Sequence, residues 1–335
     1  MKNKSKENKD IKMLNYYRNL FNNYLNLTFV ICHLTFILFL SLPCLATESG
    51  MDIATLKSGV GARALGMGGA FVAVSDNADS PYWNPAGLSL VKEQEITTMQ
   101  TKLSSDADHY YISYAVPVLK GTLGISWVQV SLGSISQTTT TDAYNEVITT
   151  NIFNYFSNAY MLAYGLPITD NFSIGATAKY LTSDMTNVSG GQGSGYSFTP
   201  AMLLKIFKKG SQAVTVACKI DELFNEQNWG TGTSEKAIPC VRGGLSIENF
   251  FFLPQGSKLA LDISQPLKRS YSSTIATGYE WLNNELALRL GYADSSVSAG
   301  AGFTSGNTTL DYAYVSSQTS LSHSNVHRLS LSGKW

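Results

Sequence analysis

From about residue 93 to the last residue the chain repeats one pattern: segments of about ten residues in which one alternate phase is apolar and the other small or polar. A period of two is the mark of a strand, whose side chains leave opposite faces in turn. In Leu286-Ala287-Leu288-Arg289-Leu290-Gly291-Tyr292 the residues Leu286, Leu288, Leu290 and Tyr292 share one face, and Ala287, Arg289 and Gly291 share the other. Leu259, Leu261 and Ile263 alternate with Ala260 and Asp262; Ile174, Ala176, Ala178 and Tyr180 alternate with Gly175, Thr177 and Lys179; Tyr160, Leu162 and Tyr164 alternate with Met161 and Ala163. A soluble sandwich also alternates, so the number of segments and the lengths of their connections decide. Strands are predicted near 93–103, 109–119, 121–132, 154–167, 171–185, 194–207, 211–220, 237–249, 257–265, 270–282, 284–293, 296–304, 306–316 and 325–335. They number fourteen, and short connections alternate with long ones at 133–153, 186–193, 221–236 and 317–324. An even strand count with short turns at one end and long loops at the other is the pattern of a transmembrane antiparallel β-barrel. Only 14% of residues are charged, against about 25% in a soluble domain, which fits a surface that largely does not face water. The absence of a net basic charge excludes nucleic acid as the expected partner.

Ahead of the strands, residues 1–46 read as a cleaved export signal. Six cations up to Arg18 precede an apolar run from Phe29 to Leu42, and Ala46 ends a small-residue cleavage site. Met13 is an alternative start. The run is shorter than the roughly 20 apolar residues of a spanning helix. Cys218 and Cys240 remain after cleavage, on opposite strand phases, and are expected to stay free.

Residues 47–92 form neither a strand nor a good helix and are expected to be a plug. Gly61 and Gly66 have the spacing of a phosphate loop, but Met67-Gly68 stands where Lys-Ser/Thr is required and no strand precedes them. Dense glycine instead suits a backbone that packs closely against something else. The stretch GARALGMGGAFVAVSDNADSPYWNPAGLS closely resembles the N-terminal signature of PorV/PorQ family outer-membrane proteins, relatives of the FadL-type hydrophobe transporters. The resemblance implies a FadL-like barrel of about fourteen strands over 93–335, in the bacterial outer membrane, plugged by a hatch whose Asn-Pro-Ala box is Asn84, Pro85 and Ala86. It also implies one of two roles. One is passive uptake of small hydrophobic molecules. The other is an accessory barrel of type IX secretion that binds secreted cargo proteins at the cell surface.

Arg63, Gly66, Gly69, Asn84, Pro85 and Ala86 are the candidate plug and gating residues. Phe71, Tyr82, Trp83 and Trp229 are the candidate hydrophobic contacts, weighed against a simpler role for Phe71 and Trp83 as the plug's own small core. Phase places Lys179, Lys219, Arg242, Asp262, Arg289, Asp311 and Arg328 in the lumen, where confined charges must pair; Asp262 or Asp311 is the expected partner of Arg63. Tyr144 and Phe153 are further aromatic candidates in the loops. The acids Asp142, Glu146, Glu222 and Glu226 lack calcium-ligand spacing. No catalytic constellation accompanies His109, His323 and His327, so neither an enzyme nor a cofactor or metal is expected. The last strand carries Leu329, Leu331 and the terminal Trp335 on one phase. That pattern resembles the recognition signal for the barrel-assembly machinery and for insertion into outer-membrane lipid.

Overall fold

The computed structural model describes residues 54–104, 107–141, 147–250, 253–268, 270–294, 296–319 and 322–335. The expected signal over 1–46, the first plug residues from 47, and Asp142, Tyr144 and Glu146 lie outside them.

The strands are β1 (Glu95–Ser104), β2 (Ala107–Val118), β3 (Gly121–Thr141), β4 (Val147–Pro167), β5 (Phe172–Met185), β6 (Gln192–Lys209), β7 (Gln212–Asp221), β8 (Phe224–Trp229), β9 (Ser234–Glu235), β10 (Cys240–Glu248), β11 (Ser257–Pro266), β12 (Thr274–Asn283), β13 (Leu286–Ala293), β14 (Ser296–Ser305), β15 (Thr308–Thr319) and β16 (Ser322–Lys334). All pairings are antiparallel, and β1 pairs with β16 while β5 pairs with β6, so the sheet closes on itself. Of the sixteen strands, β8 and β9 lie outside the ring, and the remaining fourteen form a closed barrel. Closure at the seam is completed past the last strand, where Gln94 and Trp335 exchange backbone hydrogen bonds of 3.0 and 3.1 Å. Trp335 also stacks on Tyr114, with ring centroids 6.1 Å apart.

The two phases separate as alternation requires. On β13, Leu286, Leu288, Leu290 and Tyr292 are exposed outward, whereas Ala287 and Arg289 are buried. Along β4 and β5, Tyr160, Leu162, Ile174 and Tyr180 face out while Met161, Ala163, Thr177 and Lys179 face in. Apolar outward side chains bounded by aromatic residues form the band a barrel presents to lipid. Cys218 pairs in register with Gly243, and Cys240 with Asp221, so the two thiols leave opposite faces of the wall and are free.

Three connections read as loops are largely strand among the described residues; in the shortest, 317–324, Ser317 to Thr319 of β15 pair with Ser322 to Ser324 of β16. β3 and β4 run on as a two-stranded ribbon, with register shifts between Leu132 and Ile135 and again around Thr138. The 221–236 connection folds into the β8–β9 hairpin, in which β8 continues the edge of β7 along β6 after a break at Glu222, whose φ is 56°. Runs rich in Thr and Ile extend easily because β-branched side chains suit a pleated backbone.

Candidate functional site: the plug and its seat in the lumen

Residues 54–92 thread three helical turns, Ala54–Lys57, Ala62–Gly66 and Ser80–Trp83, and a 3-10 segment, Pro85–Leu90. No turn is long enough to be stable alone, so the segment holds its shape through its own aromatic core and the barrel wall. Trp83 packs edge-on against Phe71 and Tyr82, at 6.0 and 5.3 Å between centroids. Its Nε1 donates to Val60 O at 2.9 Å, and Tyr82 Oη donates to Leu56 O at 2.7 Å. Phe71, Tyr82 and Trp83 are buried with Met67 and Val74 in one cluster, so they are the plug's core.

Asn84 is the hub of the second half. It is fully buried and extended (φ −162°), donating from Nδ2 to Val72 O at 2.7 Å and accepting from Ala86 N at 3.0 Å. That second bond caps the segment Pro85 opens, where proline's fixed φ and missing N–H suit a first helical position. Behind the box the wall must be glycine: a Cβ on Gly175 would fall into the backbone of Pro85. Gly68, at φ 67°, presses against β13 closely enough that a Cβ would come 2.7 Å from Tyr292 N. Gly66 packs beside Gly300 and Arg289, and Gly69 lies under the Trp83 ring. An Asn84→Ala chain is expected to lose about 2 kcal/mol of stability, because Val72 O and Ala86 N stay buried without partners. Thermal unfolding in detergent micelles checks this, and an unchanged midpoint would remove Asn84 from its role as hub.

Wall side chains satisfy the plug's backbone from many directions. Ser113, Thr177 and Ser298 hydroxyls donate to Ala78 O, Pro81 O and Gly66 O, at 2.5, 2.8 and 3.2 Å. Lys219 Nζ donates to Tyr82 O at 3.1 Å, and Ala62 N donates to Ser330 Oγ at 2.8 Å. Asp262 is not the partner of Arg63; its Oδ2 accepts from Phe71 N and Val72 N, at 2.8 and 2.9 Å. Nor is Asp311, which pairs with Arg289 at 2.6 Å.

Arg63 instead grips Glu280 with two hydrogen bonds of 2.8 Å and Asp76 at 2.6 Å, and stacks over Phe71 at 5.3 Å. Glu280 also takes Arg289 Nε at 2.8 Å, and Lys258 bridges Asp76 and Glu248 at 3.4 and 3.2 Å. The result is an alternating chain of charges, Glu248-Lys258-Asp76-Arg63-Glu280-Arg289-Asp311, running from β10 through the plug to β15. A second group joins Lys179 to Glu222, and Lys219 and Arg242 to Asp221, the latter two at 2.9 Å. Glu222, read from sequence as a loop acid, is therefore a buried ion-pair partner. Asp76, Asp221, Glu248, Lys258 and Glu280 were missed as ion-pair residues; Glu280, the wall partner of Arg63, lies on the inward phase of β12 with Gly278, and only that phase marks it.

Trp229 stands apart from this core. It pairs in register with Gly193 on the β6–β8 ribbon and donates from Nε1 to Glu235 at 3.0 Å. It borders a cleft of about 530 Å³ that Thr182, Asp184, Gln192, Ser194 and Asn228 also line. Phe153 pairs with Ile135 within the β3–β4 ribbon.

By sequence, no protein-family model and no characterised protein matches the chain. By structure it is similar to the P. putida toluene transporter TodX, with a TM-score of 0.57 at 14% identity over 85% of this chain and 99% of that one. It is equally similar to the monoaromatic hydrocarbon channel CymD, with a TM-score of 0.57 at 12% identity over the same shares. The barrel fold is shared. At these identities the likeness extends to the fold alone.

Proposed function

We propose that the protein is an outer-membrane channel for the passive entry of small hydrophobic molecules, exported with its signal peptide cleaved and inserted through the Trp335 strand. The observation that carries this reading is a buried aromatic cluster, Phe71, Tyr82 and Trp83, filling the lumen of a barrel whose fold is that of hydrocarbon channels. In the closed state those rings have no free face. Entry therefore requires the plug to shift, and the contacts divide into a side that resists and a side that yields. Toward β10–β15 the plug is held by the charge chain through Arg63 and Asp76. Toward β3–β6 it meets glycine, serine and threonine, where sliding breaks few charge-assisted bonds. Pro85 restricts its own φ and that of Asn84, so the Asn84-Pro85-Ala86 box serves as the pivot, and the cleft beside Trp229 as a first landing place at the rim.

The test is entry of radiolabelled toluene into cells with and without the protein, alongside a form lacking residues 54–92. Entry that depends on the protein, and becomes unselective toward small polar solutes without the plug, is the expected result. If toluene entry does not depend on the protein while surface proteins fail to be secreted in its absence, the PorV/PorQ-like accessory role replaces this reading, with the β3–β4 and β8–β9 ribbons as docking surfaces.

A further inference from the structure

Each of the other inward cations described above has a carboxylate: Lys179 has Glu222, Lys219 and Arg242 share Asp221, Lys258 has Asp76 and Glu248, and Arg63 and Arg289 share Glu280. Arg328 on β16 has none among the described residues. It is 7% exposed, its Nη1 donates to Ser58 O at 3.1 Å, and its Nε has no partner. A buried cation without a counter-charge is among the costlier features a fold can carry.

Its neighbours share the deficit. Thr101 on β1 pairs in register with Arg328 on one side and with His109 of β2 on the other, and all three point into the lumen. Thr101 Oγ1 and His109 Nδ1 are likewise buried and without partners. His109 Nε2 lies 3.2 Å from Ser58 Oγ. Ser58 Oγ also lies 3.5 Å from Thr55 O; when its single hydrogen goes to the nearer Nε2, Nδ1 of His109 carries the N–H. The row then offers an arginine N–H, a hydroxyl and an imidazole N–H, with no anion supplied among the described residues. Two residues along each strand, on the same face, lie Met99, Ser330 and Tyr111, the last with an unpartnered hydroxyl, against the plug's aromatic cluster.

We infer that Arg328, Thr101 and His109 form a carboxylate-binding site. A single negative charge balances a single guanidinium, and a planar carboxylate presents two acceptor oxygens to a guanidinium edge. Met99 and the ring of Tyr111 border the row on the plug side, which suits a small ring or short chain attached to that carboxylate. The inference rests on the uptake reading only for the route by which an external ligand arrives. It extends that reading, since a hydrocarbon has no group to occupy these donors. The same chemistry is also present within the chain, in Glu48 and Asp52 upstream of Ala54.

The experiment is thermal unfolding of the detergent-solubilised full-length mature protein, titrated with sodium benzoate, sodium chloride or toluene. It reads binding without transport, so failure of the uptake assay leaves it interpretable. Benzoate is expected to raise the midpoint by several degrees at saturation, chloride and toluene are not, and Arg328→Gln is expected to abolish the shift. Thr101→Val, which keeps the cation, is expected to weaken benzoate at least tenfold. A benzoate shift in the unmodified protein assigns the site to external carboxylates. A shift that emerges only in the Glu48→Gln, Asp52→Asn double variant assigns it to the chain's own acids. No benzoate shift in either protein, an equal shift with chloride, or a shift that survives Arg328→Gln overturns the inference.

Discussion

Replacing Glu280 by Gln is expected to destabilise the plugged barrel by about 3–5 kcal/mol, the range for removing one partner of a buried ion pair. Three charge-assisted hydrogen bonds of 2.8 Å converge on this carboxylate, two from Arg63 and one from Arg289. Glutamine keeps the shape but gives up the charge, and its amide nitrogen meets an arginine donor with another donor. Arg63 and Arg289 retain Asp76 and Asp311, so the chain of charges as a whole becomes neutral, and the cost lies in the two guanidinium groups that lose the carboxylate they share. Because Arg63 belongs to the plug and Glu280 to the wall, the loss falls on the contact that holds the plug to β12. Single-channel recording in planar bilayers checks this directly. Glu280→Gln is expected to show frequent openings where the unmodified protein is quiet, together with faster trypsin cleavage at Arg63. A variant as quiet and as protease-resistant as the parent would mean that the charge chain does not hold the plug. A partly solvated pair serves as the contrast: Lys334 lies 3.7 Å from Glu95, with the lysine half exposed and the glutamate buried, and replacing the lysine is expected to cost about 1 kcal/mol or less.

The barrel was legible because its signal is local. Every second residue of Leu286–Tyr292 must be acceptable to lipid, and that constraint is written into the strand whatever it pairs with. Fourteen such segments with a terminal aromatic strand fix a closed sheet. The inward charges Lys179, Arg242, Asp262, Arg289, Asp311 and Arg328 followed from the same phase. Their partners did not. Arg63 and Glu280 are 217 positions apart, and the choice among several inward carboxylates depends on where the plug's turns place the guanidinium. Asp262 was a reasonable partner by charge, but it lies beneath two plug N–H groups whose need for an acceptor takes precedence. The ribbon of β3 and β4 was read as a loop because 133–153 lacks a lipid-compatible phase. A strand that projects beyond the membrane does not need one.

A pH titration of stability separates the second large effect. Asp79 precedes the helical turn Ser80–Trp83 and is fully buried. Asn77 Nδ2 donates to its Oδ2 at 3.1 Å, while Oδ1 has no hydrogen-bond partner. Burial, then the nearby carboxylates Glu95 of β1 and Asp311 of β15, push its carboxyl up to about 7; Tyr111 of β2 is the other titratable group that faces it. The folded chain therefore holds a proton that the unfolded chain releases near the ordinary carboxylate value of 3.8. Between about pH 4 and 7 the unfolded state binds fewer protons, so stability falls as pH rises, by at most about 1.4 kcal/mol per unit, and levels off once Asp79 is ionised in both states. Asparagine at 79 keeps the shape and carries no charge to bury. Asp79→Asn is thus expected to remove this slope and to be the more stable protein at pH 8, with the two curves converging toward pH 4. Unfolding midpoints in detergent across that range give the difference curve, which isolates Asp79 from the other acids. Parallel curves would mean that Asp79 is already ionised in the plug, with its charge balanced by the fold. The expected divergence would also make the plug easiest to shift on the alkaline side of neutrality, so that toluene entry rises with pH in the parent and not in Asp79→Asn.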